Sequence, residues 1–132
     1  MIIAAISTLV VTTPAAATTA TVLACTNNGP YSFRTAVATT YSTIYVHRGS
    51  GCGGDAISYG RTTLVGSDVV IYAIDIACDN VGLTTTVSGG WSVPSTGCNT
   101  TNSHRTSRSS SGGTFWVTVG GRYMSPLHSI PI

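Results

Sequence analysis

VVIYAIDIAC, from Val69 to Cys78, is the stretch whose reading decides the fold class. In an extended chain successive side chains point to opposite faces. Val70, Tyr72, Ile74, Ile76 and Cys78 therefore share one face, and Val69, Ile71, Ala73, Asp75 and Ala77 the other. Both faces are mostly apolar. This predicts a central strand, covered on both sides or covered on one side and joined to a partner on the other.

The flanking segments fit the same plan. Upstream, Gly66-Ser67-Asp68 turns the chain, and Ala56 to Val65 carries Ile57, Tyr59, Arg61 and Thr63 on one parity. Gly49 to Asp55 (GSGCGGD) is too glycine-rich for a strand interior and reads as a tight loop tethered by Cys52. Residues 32–38 and 42–48 read as two strands, with Ile44 and Val46 on one face of the second and Tyr45 and His47 on the other. Ala20 to Cys25 reads as a short strand closed by the turn residues Asn27 to Pro30.

Downstream, Asp79 to Gly82 is a turn, Leu83 to Val87 a strand, Ser88 to Gly90 a turn, and Trp91 to Val93 a short strand stopped by Pro94. Thr114 to Val119 and Arg122 to Met124 flank Gly120-Gly121, the signature of a two-residue hairpin. About seven or eight short strands with frequent turn signals predict an all-β domain. The expected form is a small antiparallel β-sandwich, immunoglobulin-like in the loose architectural sense, or a small barrel.

Composition narrows the function classes. The chain has 132 residues, 8% of them charged and 42% hydrophobic, with a formal net charge of +2. So little charge excludes a disordered polyelectrolyte and a coiled coil, and +2 is too small for a nucleic-acid footprint. Lys, Glu and Gln are absent. Arg without Lys, among abundant Ala, Gly, Thr and Val, points to a GC-rich bacterial coding sequence.

Residues 1–17 (MIIAAISTLVVTTPAAA) resemble the apolar region and small-residue cleavage site of a secretory signal peptide, although no basic residue precedes the apolar run. The apolar run is shorter than the ~20 residues a membrane anchor needs. The reading is a leader followed by a single domain over 18–132, secreted and without a stable membrane anchor; the alternative for Ile2 to Val11 is a first strand. Cys25, Cys52, Cys78 and Cys98 are even in number and carry no metal-ligand spacing, so they read as two disulfides in an oxidising compartment, the alternative being a cytosolic protein with four buried thiols. Three connectivities are open. The sequential one is favoured because each bridge then staples a strand to the long loop after it.

Pro94 to Gly113 has almost no apolar side chain and reads as a long loop. It gathers His104, Arg105 and Arg108, three groups able to meet an anion or a partner surface, or else it is a soluble hairpin tip. Catalytic patterns are sparse. The only imidazoles are His47, His104 and His128, no Ser lies in a GxSxG elbow, and the four Asp offer Asp75 as the one buried candidate. No metal-binding or phosphate-cradling motif stands out, and no cofactor is expected. Trp91, Trp116, Tyr41, Tyr45, Tyr59 and Tyr123 can supply an aromatic surface for a sugar or a partner.

The expected function is a secreted, non-enzymatic interaction module, a small subunit or adaptor of an extracellular assembly. Its candidate binding residues are His104, Arg105, Arg108, Trp91, Trp116 and Tyr45. Its partner is expected to be a protein, by way of a sheet edge, with carbohydrate as a further option and nucleic acid excluded. The alternatives are a protease inhibitor presenting loop 98–108 and a small secreted enzyme or toxin using His47 or His104.

Overall fold

The structure, a computed structural model, describes residues 20–107 and 112–131. The leader expected over 1–17 and the candidate Arg108 lie outside the described residues. The strands are β1 (Thr21–Val22), β2 (Thr26–Asn28), β3 (Tyr31–Val37), β4 (Tyr41–Arg48), β5 (Ala56–Val65) and β6 (Asp68–Asp75). They continue with β7 (Leu83–Val87), β8 (Ser92–Pro94), β9 (Thr100–Ser107), β10 (Thr114–Val119), β11 (Tyr123–Met124) and β12 (His128–Ser129). All pairings are antiparallel. A seven-stranded sheet runs β1-β3-β4-β5-β6-β9 with β2 also on β3, and a five-stranded sheet runs β11-β10-β7-β8 with β12 also on β10.

The stretch that decided the fold is β6, lying between β5 and β9. Val69, Ile71 and Ala73 are buried in the core while Tyr72 and Ile74, on the other face, are half-buried. Of the two coverings open to this strand, the second holds: one face is in the core and the other looks outward. The inner faces of the two sheets meet through Phe33, Ile44, Val46 and Ile71 on one side and Leu83, Phe115, Val117 and Val119 on the other. Burying each such side chain fully contributes about 1.5–3 kcal/mol, so this seam dominates the stability.

The sheets approach closely at Gly60, an inward position of β5, where a Cβ would collide with Thr85 Oγ1 and Val117 Cγ1. There the buried Thr85 Oγ1 donates 2.8 Å to the Tyr72 carbonyl, a hydrogen bond that crosses from one sheet to the other.

Both disulfides form in the sequential pairing, Cys25 to Cys52 and Cys78 to Cys98. The first fastens the glycine-rich loop after β4 to the entry of β2, and the Cys52 N–H donates 2.9 Å to Ser32 Oγ. The second joins the exit of β6 to the approach to β9, closing over β7 and β8.

Four expectations need correction. The loop expected over 94–113 contains β9, which pairs with β6 along its whole length, from Asp68 opposite Ser107 to Asp75 opposite Thr100. Its alternation is nearly invisible in sequence because the inward residues Asn102, His104 and Thr106 are polar and only half-buried, as suits an edge strand. The strand expected to reach Cys78 ends at Asp75, because a bulge in β5 leaves the Ile57 carbonyl to accept both the Ile76 and Ala77 N–H groups at 3.0 Å. Ala20 to Cys25 contributes only the exposed pair Thr21–Val22, and the turn expected at Asn27 to Pro30 is tighter, with Thr26–Asn28 already paired to β3. β12 leaves no signal in the sequence, since two residues carry no periodicity.

Candidate binding surface

Strand register builds a row of aromatic and guanidinium groups on the outward face of the seven-stranded sheet. Arg34 of β3 lies opposite Tyr45 of β4, Tyr45 opposite Tyr59 of β5, and Tyr59 opposite Ile74 of β6. One register step along, Thr43 lies opposite Arg61 and Arg61 opposite Tyr72. The Arg34 guanidinium stands 4.8 Å from the Tyr45 ring centre, and the Tyr45 and Tyr59 rings are 5.5 Å apart. Arg61 sits 5.0 Å from the Tyr41 ring and 5.4 Å from that of Tyr59. Each cation–π contact of this kind is worth about 0.5–1 kcal/mol when exposed and more when desolvated.

The row is anchored from beneath. Arg61 Nε donates 2.7 Å to Thr43 Oγ1, and Thr43 is fully buried although it faces outward. That bond and the flanking rings hold the guanidinium over the sheet. Beside it lies a shallow concavity of about 400 Å³ lined by Tyr59, Arg61, Thr63, Tyr72, Ile74 and Thr101. Tyr and Arg, which supply three of the six lining residues, are among the side-chain types enriched at protein interfaces.

The charge on this face is uncompensated. The chain has four acids, and two are engaged: Asp79 with Arg48, and Asp68 with Arg105, whose Nε lies 2.8 Å from Asp68 Oδ2. Asp75 is buried on the inward face and Asp55 belongs to the loop after β4. Among the described residues neither Arg34 nor Arg61 has a carboxylate within ion-pair distance, and the buried Arg34 Nε has no hydrogen-bond partner.

The candidates expected from sequence are dispersed by the fold. Tyr45 is in the row. His104 and Arg105 are neighbours on β9 and so point to opposite faces, which separates the cationic cluster expected there. His104 stacks on Trp91 with ring centres 4.1 Å apart, and Trp91 remains exposed. Trp116 is half-buried on β10, opposite Thr86, on the outward face of the five-stranded sheet. Arg34, Arg61 and Tyr72 were not singled out. Their signal was the shared parity of Tyr59 with Arg61 and of Tyr72 with Ile74, and only register shows that these strands adjoin.

His47 is buried beside the disulfide-tethered loop, and its ring nitrogens have no hydrogen-bond partner among the described residues. His128 lies 2.7 Å from Thr35 Oγ1, and burial pushes its pKa down. Asp75 is pushed up, chiefly by burial and further by the Asp79 carboxylate, with the Ala77 amide opposing. Asp75 borders a second concavity of about 310 Å³ beside the Cys78–Cys98 bridge. Among the described residues no imidazole pairs with a carboxylate, no group of three or more His, Cys, Asp or Glu is placed to hold a metal, and no helix is long and apolar enough to cross a membrane.

Fold and surface together define a small, disulfide-stabilised all-β domain of two sheets, compatible in shape with a protein-binding module. No protein-family model, curated protein or solved structure matches the chain.

Proposed function

We propose that this chain is an exported, non-catalytic interaction module, a small subunit or adaptor that holds a protein partner in an extracellular assembly, on a sandwich that is immunoglobulin-like in the loose sense. The partner docks on the outward face of the seven-stranded sheet. One observation carries the reading: Tyr45, Tyr59, Tyr72, Arg34 and Arg61 form a contiguous, half-buried patch whose two cations have no ion-pair partner among the described residues.

The face is favoured over a sheet edge. On the edge strand β9 the Ser103 N–H donates 3.0 Å to Asn102 Oδ1, and Asn102 Nδ2 donates 2.8 Å to the Pro94 carbonyl of β8. These bonds occupy part of the row of backbone groups that an added strand would use. The inhibitor reading is weaker, since Arg105 is engaged by Asp68 on a paired strand instead of being presented from a loop.

The test is co-purification from native culture supernatant under non-reducing conditions, with wild type against a Tyr59→Ser, Tyr72→Ser double variant. The expected result is a stoichiometric companion bound by wild type and lost by the variant, which still unfolds cooperatively in urea with a midpoint lowered only by the ring contacts it has given up. A companion retained by the variant, or a strictly monomeric wild type, overturns the reading.

A further inference from the structure

We infer that the partner presents a carboxylate to Arg61, so that the complementary surface is an acidic segment of protein; this rests on the binding face proposed above. The geometry of Arg61 is the starting point. Its Nε is committed to Thr43 Oγ1, and its plane is flanked by Tyr41 and Tyr59. The guanidinium is thereby fixed with its two terminal nitrogens left over, and among the described residues neither has a hydrogen-bond partner. A pre-positioned pair of N–H donors accepts a carboxylate end-on and bidentate, the geometry in which Arg recognises acids most strongly. Because the side chain is already ordered by the rings and by Thr43, little rotamer entropy is lost when the acid arrives.

Charge complementarity selects the occupant. A second copy of this chain, face to face, would set Arg34 and Arg61 against their own equivalents, and of the four acids only Asp55, in the loop after β4, is neither buried nor ion-paired among the described residues, so the contact is repulsive on balance. An acidic partner meets two unneutralised cations instead. Between an acidic protein and an acidic polysaccharide, the aromatic row decides. A pyranose needs an open ring face to stack on, and here the Tyr45 ring lies in the row between Arg34 and Tyr59, and the Tyr59 ring between Tyr45 and Arg61. What remains open is the concavity walled by Tyr59, Tyr72 and Ile74, which has room for an Asp or Glu side chain together with apolar neighbours from the same segment.

The probe is poly-L-glutamate, titrated into the oxidised protein and followed by amide chemical shifts and by calorimetry, with poly-L-lysine and polygalacturonate at matched charge as comparisons. Arg61→Gln is compared with Arg61→Lys, which keeps the charge and loses the fork, and with Arg122→Gln, which removes the same charge from the β10–β11 turn. Polyglutamate is expected to shift the amides of Tyr59, Arg61, Tyr72 and Thr101, to bind at least about tenfold more weakly to both Arg61 variants, and to be unaffected by Arg122→Gln. Equal loss in Arg122→Gln means non-specific attraction and overturns the inference. So does polygalacturonate binding as tightly as polyglutamate at the same amides, which would make the ligand a glycan. A companion from the supernatant that is lost by the Tyr59, Tyr72 variant but held by Arg61→Gln and not displaced by polyglutamate overturns the carboxylate anchor while leaving the binding face intact. A companion held by the Tyr variant removes the face itself.

Discussion

Replacing Gly60 by Ala tests the contact that holds the two sheets in place. A methyl at this position would overlap Thr85 Oγ1 and Val117 Cγ1, with Thr85 Cγ2 a further 3.2 Å neighbour. Thr85 and Val117 are fully buried, so neither can swing into solvent to make room. Overpacking a filled core costs about 1–3 kcal/mol. If Thr85 rotates away it also surrenders its bond to the Tyr72 carbonyl, and an unpaired buried polar group adds about 1–3 kcal/mol. The reduced freedom of Ala in the unfolded chain returns about 0.4–1 kcal/mol. The expected net loss is therefore about 2–4 kcal/mol, which for a domain of this size lowers Tm by roughly 4 °C per kcal/mol. Urea unfolding with both disulfides intact measures it, the midpoint falling while the m-value stays constant. Adding Val117→Ala removes one of the two collisions, so the double variant should be more stable than the sum of the singles by at least about 1 kcal/mol. A Gly60→Ala protein within about 0.5 kcal/mol of wild type would refute the close approach of the sheets at this point.

Two pH dependences follow from buried groups with opposite signs. Asp75 has a folded pKa above its unfolded one, so its contribution to stability is full below the ordinary carboxylate range and is lost as pH rises through the raised value. Asp75→Asn should accordingly raise the urea midpoint at pH 7 and leave it nearly unchanged at pH 3.5; a lower midpoint at pH 7 would contradict a carboxylate disfavoured by burial. His128 has a folded pKa below its unfolded one, so its contribution is present above the ordinary imidazole range and is lost as pH falls through it. Stability measured from pH 7.5 down to 5 should decline in wild type and decline less in His128→Gln, and identical slopes would remove the assignment.

Much of the fold is legible along the chain. β3 to β7 and β10 are each readable because a half-buried strand must alternate, and Ile44 with Val46 or Phe115 with Val117 leave that alternation in plain sight. The hairpin at Gly120-Gly121 is equally local, as both glycines take positive φ, 60° and 69°. Val119 pairs with Tyr123, however, so Arg122 joins the glycines in a three-residue turn instead of opening the second strand of a two-residue hairpin. β9 is not readable, because an edge strand half in solvent is stable with Thr, Asn and His facing inward. Gly60 reads only as a gap in a strand, although its reason is a neighbour from the other sheet.

The candidate surface divides in the same way. Tyr45, Tyr59 and Tyr41 were visible as aromatics, and their parity placed each on one side of its own strand. That Arg34 meets Tyr45, that Tyr45 meets Tyr59, and that Arg61 rests on Thr43 are facts of register between strands. Sequence alone determined an all-β chain with paired cysteines and few charges, since period and composition are properties of short segments. Tertiary structure alone decided which outward rings become neighbours and which cations lose their acids to other partners, because pairing between strands is set by how the two inner faces fill a common core.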